Sequence, residues 1–329
     1  MARQRGKIFG EKIRHLRDER ELTQSALADK AGISIMQIKN IEIGRNGTTK
    51  EVAAAIALVL EVRLEEIYIE DFRNTTILTL SNSKGGVGKT SSVLGLAHAL
   101  SRIDGNKVLI VEADMQRNLS FGLGIPENTG MSLYAALMRE DNFAGYIQPT
   151  GTDNLDIIIA DYSLATVDFE LSRKQYQETI FQRGMSEILE KGMYDYVVVD
   201  TSPNLGLLNF NILSISDYVI VPVELSAYGL QGLDTIFRYI NKIKEVNHKL
   251  EILGVLKTKV DRREAVTDTA DRALESVFDN VRIFDSYISI DTNVKKAQWS
   301  REHISEFDPR SRAAKQYMAL AKEVVKYGK

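Results

Sequence analysis

The stretch SNSKGGVGKT, residues 81–90, decides the fold. A β-branched run, Thr75-Thr76-Ile77-Leu78-Thr79-Leu80, leads into it. After it, Val93, Leu96, Ala97 and Leu100 recur at helical spacing up to Asp104-Gly105. Strand, glycine loop and helix in that order make a phosphate cradle, because the loop N–H groups and the positive end of the helix both attract anions. Gly85, Gly86, Val87, Gly88, Lys89, Thr90 and Ser91 are therefore candidate nucleotide-binding residues, with Lys89 able to reach the β- and γ-phosphates and the Thr90 hydroxyl able to ligate Mg2+. The strict phosphate-loop pattern asks for glycine where this chain has Ser83, and an additional lysine, Lys84, stands just before Gly85.

Outward from the loop, a second apolar strand, Lys107-Val108-Leu109-Ile110-Val111, arrives after about 30 residues, the length of a βαβ unit. It ends at Glu112-Ala113-Asp114-Met115-Gln116-Arg117-Asn118, where carboxylates would overlook the phosphates. A third strand, Tyr196-Val197-Val198-Val199, finishes in Asp200-Thr201-Ser202-Pro203. Four apolar residues and an aspartate are by themselves an ordinary buried strand end. After a phosphate loop they read as an acid holding Mg2+ through water, which makes Asp200 the second Mg2+ candidate beside Thr90. Alternating strand and helix patterns predict an α/β domain, a mostly parallel sheet wrapped by helices.

Composition narrows the chemistry. The 329 residues hold no cysteine, which excludes disulfide scaffolds, thiol nucleophiles, cysteine-held clusters and thiolate zinc sites. The 4 histidines show no ligand spacing, so metal chemistry falls to oxygen ligands. The longest apolar run, residues 52–60, is about half what a membrane span needs, and the basic first residues lead into no apolar signal core. A cytoplasmic protein is expected. The net charge of −3 hides an asymmetry, since residues 1–50 carry 11 Lys/Arg against 6 Asp/Glu. The carboxyl region is also basic, with Lys295, Lys296, Arg301, Arg310, Arg312, Lys315, Lys322, Lys326 and Lys329. Such excesses alone describe solvated faces, or surfaces that meet nucleic acid.

The amino-terminal 60 or so residues fit five short helices. Phe9, Ile13 and Leu16 begin the pattern, Leu22, Leu27 and Ala31 continue it, and Gly32 interrupts. Ser34 then caps a helix carrying Ile38 and Ile41, Gly44 closes it, and residues 50–60 and 64–67 follow. The helix at Thr23-Gln24, the turn Ala31-Gly32-Ile33-Ser34 and the next helix read as a helix-turn-helix, whose second helix enters the major groove by its first turn. Gln37 is of a type that pairs bidentately with adenine, while Gln24, Ser34, Lys39 and Arg45 are placed to contact the DNA or fix its register. The polar stretch 70–74 puts the boundary near residue 72, giving domains 1–72 and 73–329.

Two resemblances bear on these motifs. Residues 7–68, with L-T-Q, L-A-x-x-A-G-I-S and I-x-x-x-E-x-G-R, resemble the Xre/Cro/cI helix-turn-helix repressors, which implies specific DNA binding by a dimer. The loop K-G-G-x-G-K-T resembles the deviant Walker A motif of the ParA/MinD family, and the likeness covers essentially all of residues 75–327. It runs through "NLDIIIA" at 154–160, "LGLLNFNIL" at 205–213, "DYVIVPVELSAYGLQGL" at 217–233, "GVLKTKVDRR" at 254–263 and "DPRSRAAKQYMALAKEVV" at 308–325.

The second resemblance implies a P-loop NTPase-like fold, an ATP-bound sandwich homodimer, and a Lys84 that crosses to the partner's nucleotide. It further implies that Asp114 positions the attacking water, with Lys84, Lys89 and Asp114 as the catalytic set and ATP and Mg2+ as cofactors. Where the family reads D-x-D-P-Q-x-N, this chain has Glu112 and Met115 in place of the aspartate and proline, and near the base pocket it has Ile290-Asp291-Thr292-Asn293 where Ile-Pro-Arg-Asn is usual.

A DNA-segregation ATPase is implied, nucleoid-associated, with Lys295, Lys296, Arg310, Arg312, Lys315 and Lys322 binding DNA without sequence preference. A ParB-like centromere-binding partner would stimulate hydrolysis, and the first domain would bind an operator as autorepressor. The competing expectation is an ATP-sensing transcriptional repressor that transports nothing. A membrane-positioning role fits less well, because Ala314, Tyr317, Met318, Ala321 and Val325 form the stripe of a core-facing helix.

Overall fold

The computed structural model describes residues 6–45, 48–70, 74–226, 232–261, 274 and 281–328. The expected boundary near residue 72, residues 227–231 of the 217–233 segment, Arg262, Arg263 and Lys329 lie outside the described residues. The chain divides into two compact units, one ending at Asn74 and the other beginning at Thr75.

The first unit holds the five expected helices: α1 (Gly10–Glu19), α2 (Gln24–Ala31), α3 (Ile35–Glu42), α4 (Lys50–Val59) and α5 (Leu64–Ile67). It is not purely helical. Strands β1 (Gly6–Ile8) and β2 (Tyr68–Glu70) pair antiparallel and join its two ends. Three-residue strands are too short for an alternation to show in sequence, and it is their mutual pairing that makes them strands. Ile13, Leu27, Ile38, Ile56, Leu60 and Ile67 fill the core. Thr23 caps α2, Gly32 ends it in the left-handed region, and Ser34 with Gln37 forms a reciprocal capping box on α3. Arg17 donates to Glu42 at 2.7 Å and Gln24 donates to the other Glu42 oxygen at 2.8 Å, so one buried carboxylate ties α1, α2 and α3 together.

The second unit is an eight-stranded sheet. Its strands are β3 (Thr76–Leu80), β4 (Val108–Ala113), β5 (Gln148–Pro149), β6 (Leu155–Ile158), β7 (Tyr196–Thr201), β8 (Tyr218–Glu224), β9 (Glu251–Val260) and β10 (Ile283–Ser289). They lie in the order β10-β9-β8-β3-β7-β4-β6-β5, parallel throughout except for β5 against β6. Strands β4 and β7 are buried along their whole length, which is why they read as continuous apolar runs rather than alternations.

Among the described residues ten further helices follow: α6 (Lys89–Ser101), α7 (Asn118–Gly122), α8 (Leu133–Arg139), α9 (Val167–Ser172), α10 (Ile180–Glu190), α11 (Leu207–Leu213), α12 (Leu233–Ile243), α13 (Thr292–Ser300), α14 (Ile304–Phe307) and α15 (Arg312–Tyr327). Leu96 and Leu100 of α6 and Tyr317 and Leu320 of α15 pack with Leu78, Leu80 and Val198 in one core cluster. Ile236 and Ile240 of α12 pack with Val219, Val221 and Val255 in another. In α15, Ala314, Tyr317 and Ala321 are buried and Met318 and Val325 pack against the first cluster, so its apolar stripe faces the core as expected. Among the described residues no helix is long and apolar enough to cross a membrane. Strand β3 lies between β7 and β8, so the carboxyl ends of β3, β7 and β4 converge, the place where open α/β sheets bind ligands.

Candidate nucleotide site

The glycine loop leaves β3 and turns into α6 at Lys89. Gly86 and Gly88 have φ of +75° and +81°, a region that side-chain-bearing residues avoid, and the tight turn at the helix start needs them. Thr258 of β9 donates its hydroxyl hydrogen bond to Val87 O at 2.8 Å and lies 3.0 Å from Val223 O, fastening the loop to the neighbouring strands. A cavity of about 610 Å³ opens over the loop. Gly85, Gly86, Gly88, Lys89, Thr90 and Ser91 line it, together with Asp114, Gln116 and Asn118. Three expected residues do not line it: Val87 and the Mg2+ candidate Asp200 are buried, and the Lys84 side chain lies outside, half-buried.

Lys89 is buried, with Nζ donating to Asn82 O at 3.1 Å and Lys84 O at 3.0 Å. Burial lowers its pKa, and Asp200 and Asp114 oppose that shift. Asp200 is the penultimate residue of β7, is 1% exposed, and neither of its oxygens makes a well-formed hydrogen bond. Burial pushes its pKa up to about 8; the Thr90 hydroxyl and Lys89 favour the ionised form, while Glu112 and Asp114 disfavour it. A buried carboxylate with both oxygens idle beside a threonine hydroxyl and a phosphate loop fits a divalent cation. Among the described residues no group of three or more His, Asp or Glu forms an all-protein cage, so the fit is to a cation shared with phosphate oxygens. Asp114 is half-buried at the cavity wall, its Oδ1 accepting Gln116 N–H at 3.0 Å.

Glu112 differs from its expected place. It belongs to β4 rather than to the loop after it, and it is fully buried. Its Oε1 accepts the N–H groups of Leu119 and Ser120 at 2.8 and 3.1 Å, and its Oε2 accepts that of Ala160 at 3.0 Å. Its oxygens are therefore spent on the start of α7 and on the segment after β6, not offered to phosphates. The sequence pattern also left unassigned Asp168, Asn204, Asn209 and Lys259 on the cavity wall. Asp168 accepts from Asn204 Nδ2 and Leu208 N, and Asn209 carries an unpartnered buried Oδ1. Asn209 lies inside the family-like LGLLNFNIL segment, but spacing alone could not place it at the cavity.

In the first unit, Ser34, Gln37, Lys39 and Arg45 are exposed. Gln37 Oε1 accepts from Ser34 N and Oγ, so the residue expected to read adenine is engaged in the helix cap and must release it to pair with a base. Gln24 is directed to Glu42 rather than outward to a phosphate. In the carboxyl region Lys295, Lys296, Arg310, Arg312, Lys315 and Lys322 are all exposed, with Arg312 also donating to Ile290 O at 2.8 Å.

A family described as AAA domain matches residues 75–252, and one described as helix-turn-helix matches 13–67. The sporulation initiation inhibitor protein Soj of Bacillus subtilis is 34% identical over 256 residues, 77% of this chain and 99% of Soj. The chain belongs to the ParA/Soj family. The chromosome partitioning protein ParA of Caulobacter vibrioides is 32% identical over 76% of this chain and 93% of its own. Among solved structures, a Borrelia burgdorferi putative plasmid partition protein bound to AMPPNP superposes with a TM-score of 0.64 at 24% identity, covering 77% of this chain and 99% of that one. Mycobacterium smegmatis cobyrinic acid a,c-diamide synthase, with bound ADP and magnesium, gives 0.62 at 25%, covering 78% and 97%. This ParA/Soj member thus carries the family's P-loop ATPase domain behind a helix-turn-helix domain.

Proposed function

We propose that the chain is a DNA-partition ATPase, with an operator-binding domain over residues 1–72 and an ATPase domain over 73–329. The observation that carries the reading is the buried Asp200 carboxylate, without a hydrogen-bond partner, beneath Thr90 and Lys89, which line the cavity over the glycine loop. Relatives named for chromosome partitioning, and neighbours holding AMPPNP or ADP with magnesium, support it.

In this reading Lys89 leaves the two carbonyls to meet the β- and γ-phosphates of ATP, and Thr90 and Asp200 hold Mg2+. The cation would neutralise phosphate charge when bound. Asp114 orients the attacking water from the cavity wall. Lys84, outside its own cavity, is free to reach the nucleotide of a second copy in a homodimer. The basic carboxyl region meets DNA phosphates without base readout, a ParB-like partner stimulates hydrolysis, and the helix-turn-helix represses the chain's own operon. Action in the cytoplasm, on the nucleoid, follows from that role.

Binding of random-sequence duplex DNA without nucleotide, with ADP and with ATP tests the reading on the full chain, Lys89→Ala and a fragment starting at Asn74. Salt-sensitive binding switched on by ATP in the full chain and the fragment, and absent in Lys89→Ala, is the expected result. Binding that ignores ATP and vanishes with the amino domain would leave an ATP-sensing repressor instead.

A further inference from the structure

Trp299 is the chain's single tryptophan, and 89% of its surface is exposed. An indole left in water forgoes one of the largest burial gains a side chain offers, so its position calls for a partner. It stands on α13, TNVKKAQWS, four residues after Lys295 and three after Lys296, a spacing that puts all three on one helix face. The helix carries no acidic residue, both lysines are exposed, and neither has an ion-pair partner among the described residues. Just past the helix end, the Arg301 guanidinium lies 5.4 Å from the ring centroid of Phe121, which is itself 61% exposed. Phe121 belongs to α7, whose first residue, Asn118, lines the nucleotide cavity.

Exposed aromatic surface bordered by unpaired cations matches a polyanion with apolar edges. Lysine and arginine meet phosphates, while rings meet sugars and base edges. A second copy brought face to face through this patch would set like charges against each other. A lipid surface needs a broad apolar helix face, and α13 offers one exposed aromatic beside lysines.

We propose that Trp299, with Lys295, Lys296 and Arg301, contacts duplex DNA, the indole supplying an apolar contact that salt does not screen. The inference rests on the DNA-binding part of the proposed function and adds the aromatic element to it.

Because Trp299 is the only indole, its fluorescence reports on this face alone in the full-length protein. Random-sequence duplex DNA added with Mg2+ and a non-hydrolysable ATP analogue is expected to protect it from acrylamide quenching. Trp299→Ala is expected to weaken DNA binding about tenfold with an unchanged salt slope. Trp299→Phe should retain most of the affinity, and Lys295→Ala or Lys296→Ala should each lower the slope by about 1. Because Trp299 is exposed, an unchanged melting midpoint verifies that the variants fold. DNA binding that leaves Trp299 fully quenchable, or a Trp299→Ala protein that binds like wild type, overturns the inference and leaves the partition reading intact. Protection by nucleotide alone assigns the face to a second copy, and protection by anionic vesicles but not DNA assigns it to lipid; both overturn it. A wild type that binds no DNA with any nucleotide fails the wider reading, and this inference with it.

Discussion

Glu112 and Asp200 are direct partners in the register of the parallel strands β4 and β7, yet the chain treats these two buried acids in opposite ways. The extra methylene of Glu112 lets its carboxylate reach three backbone N–H groups, two of them at the start of α7. Asp200, one carbon shorter, reaches no backbone amide, and its oxygens have only the Thr90 hydroxyl nearby, without a well-formed hydrogen bond. Burial raises the pKa of both, and in Glu112 the three amides pull the other way. A satisfied carboxylate holds structure together, whereas an unsatisfied one has a buried cost that only a ligand relieves.

That contrast predicts opposite responses to substitution. Glu112→Ala leaves three N–H groups without an acceptor and is expected to cost about 2–4 kcal/mol in urea unfolding. It should also slow ATP turnover more than it changes the apparent affinity for ATP, because the freed end of α7 adjoins the Asp114 loop. Burial keeps Asp200 largely protonated at neutral pH in the ligand-free protein, so Asp200→Asn exchanges one neutral buried group for another and is expected to leave the ligand-free protein about as stable as wild type. The same variant should lose Mg2+-dependent nucleotide binding. Equal destabilisation by the two substitutions would mean that the acids do not divide the work this way.

Lys84 and Lys89 separate binding from turnover. Lys89 is parked on two carbonyls inside the cavity and Lys84 lies outside it. Lys89→Ala is expected to abolish binding of a fluorescent ATP analogue. Lys84→Ala should bind the analogue nearly as wild type does, yet turn over about 100-fold more slowly, the size of effect expected when one charge-stabilising group is lost. Loss of analogue binding in Lys84→Ala would place that lysine at its own subunit's nucleotide.

Much of this site was legible because its residues are adjacent in sequence or sit at strand ends. The loop at 81–90, the strand-end acid Asp200, and Asp114 two residues past Glu112 all announce themselves through short-range pattern. What stayed hidden depends on distant packing. Glu112 looked like a cavity acid until the strand proved to extend through Ala113, which carries its carboxylate into the protein among the amides of α7 and Ala160. Thr258, on β9, fastens the loop at Val87, a contact 171 residues apart that no local spacing encodes. Asp168 and Lys259 reach the cavity from α9 and β9 by topology alone. In the first unit the helices were legible from periodicity and caps, while the β1–β2 ribbon and the Gln24–Glu42 bond emerge only when its ends and helices meet.

The Glu42 carboxylate is the joint of the helix-turn-helix unit. It is 2% exposed as a side chain and accepts from Arg17, whose pKa this contact raises, and from Gln24. Glu42→Ala leaves the Arg17 guanidinium with Asp18 and Leu22 O alone and Gln24 without its acceptor, and is expected to cost about 2–3 kcal/mol, a large share of the stability of a unit of this size. Calorimetry should then show an amino-terminal transition at much lower temperature, with the transition of the sheet unit unmoved. ATP binding would persist while operator binding is lost. A single transition shifted as a whole would mean that the two units unfold together.

His98 and His303 stack with ring centroids 4.0 Å apart, both nearly inaccessible to solvent. His303 Nδ1 accepts the N–H of Ser305, its Nε2 has no partner, and the ring beside it meets Glu306 at 3.4 Å. Burial lowers both pKa values; His98 and Arg102 press His303 further down, and Glu306 partly offsets the fall at His98. Depressed folded-state values mean that both rings take up protons less readily in the native protein than in the unfolded chain, which protonates below about pH 6.5. Their contribution to stability is therefore complete above that pH and drains away as pH falls, by up to about 1.4 kcal/mol per pH unit for each ring. His303→Asn keeps a helix-capping acceptor but cannot titrate in this range. Urea unfolding between about pH 7.5 and about pH 5.5 should show a steeper loss in wild type than in His303→Asn, by about 1 kcal/mol or more over the interval. Because carboxylates elsewhere titrate alike in the two proteins, parallel curves would show that the stacked pair is protonated without penalty.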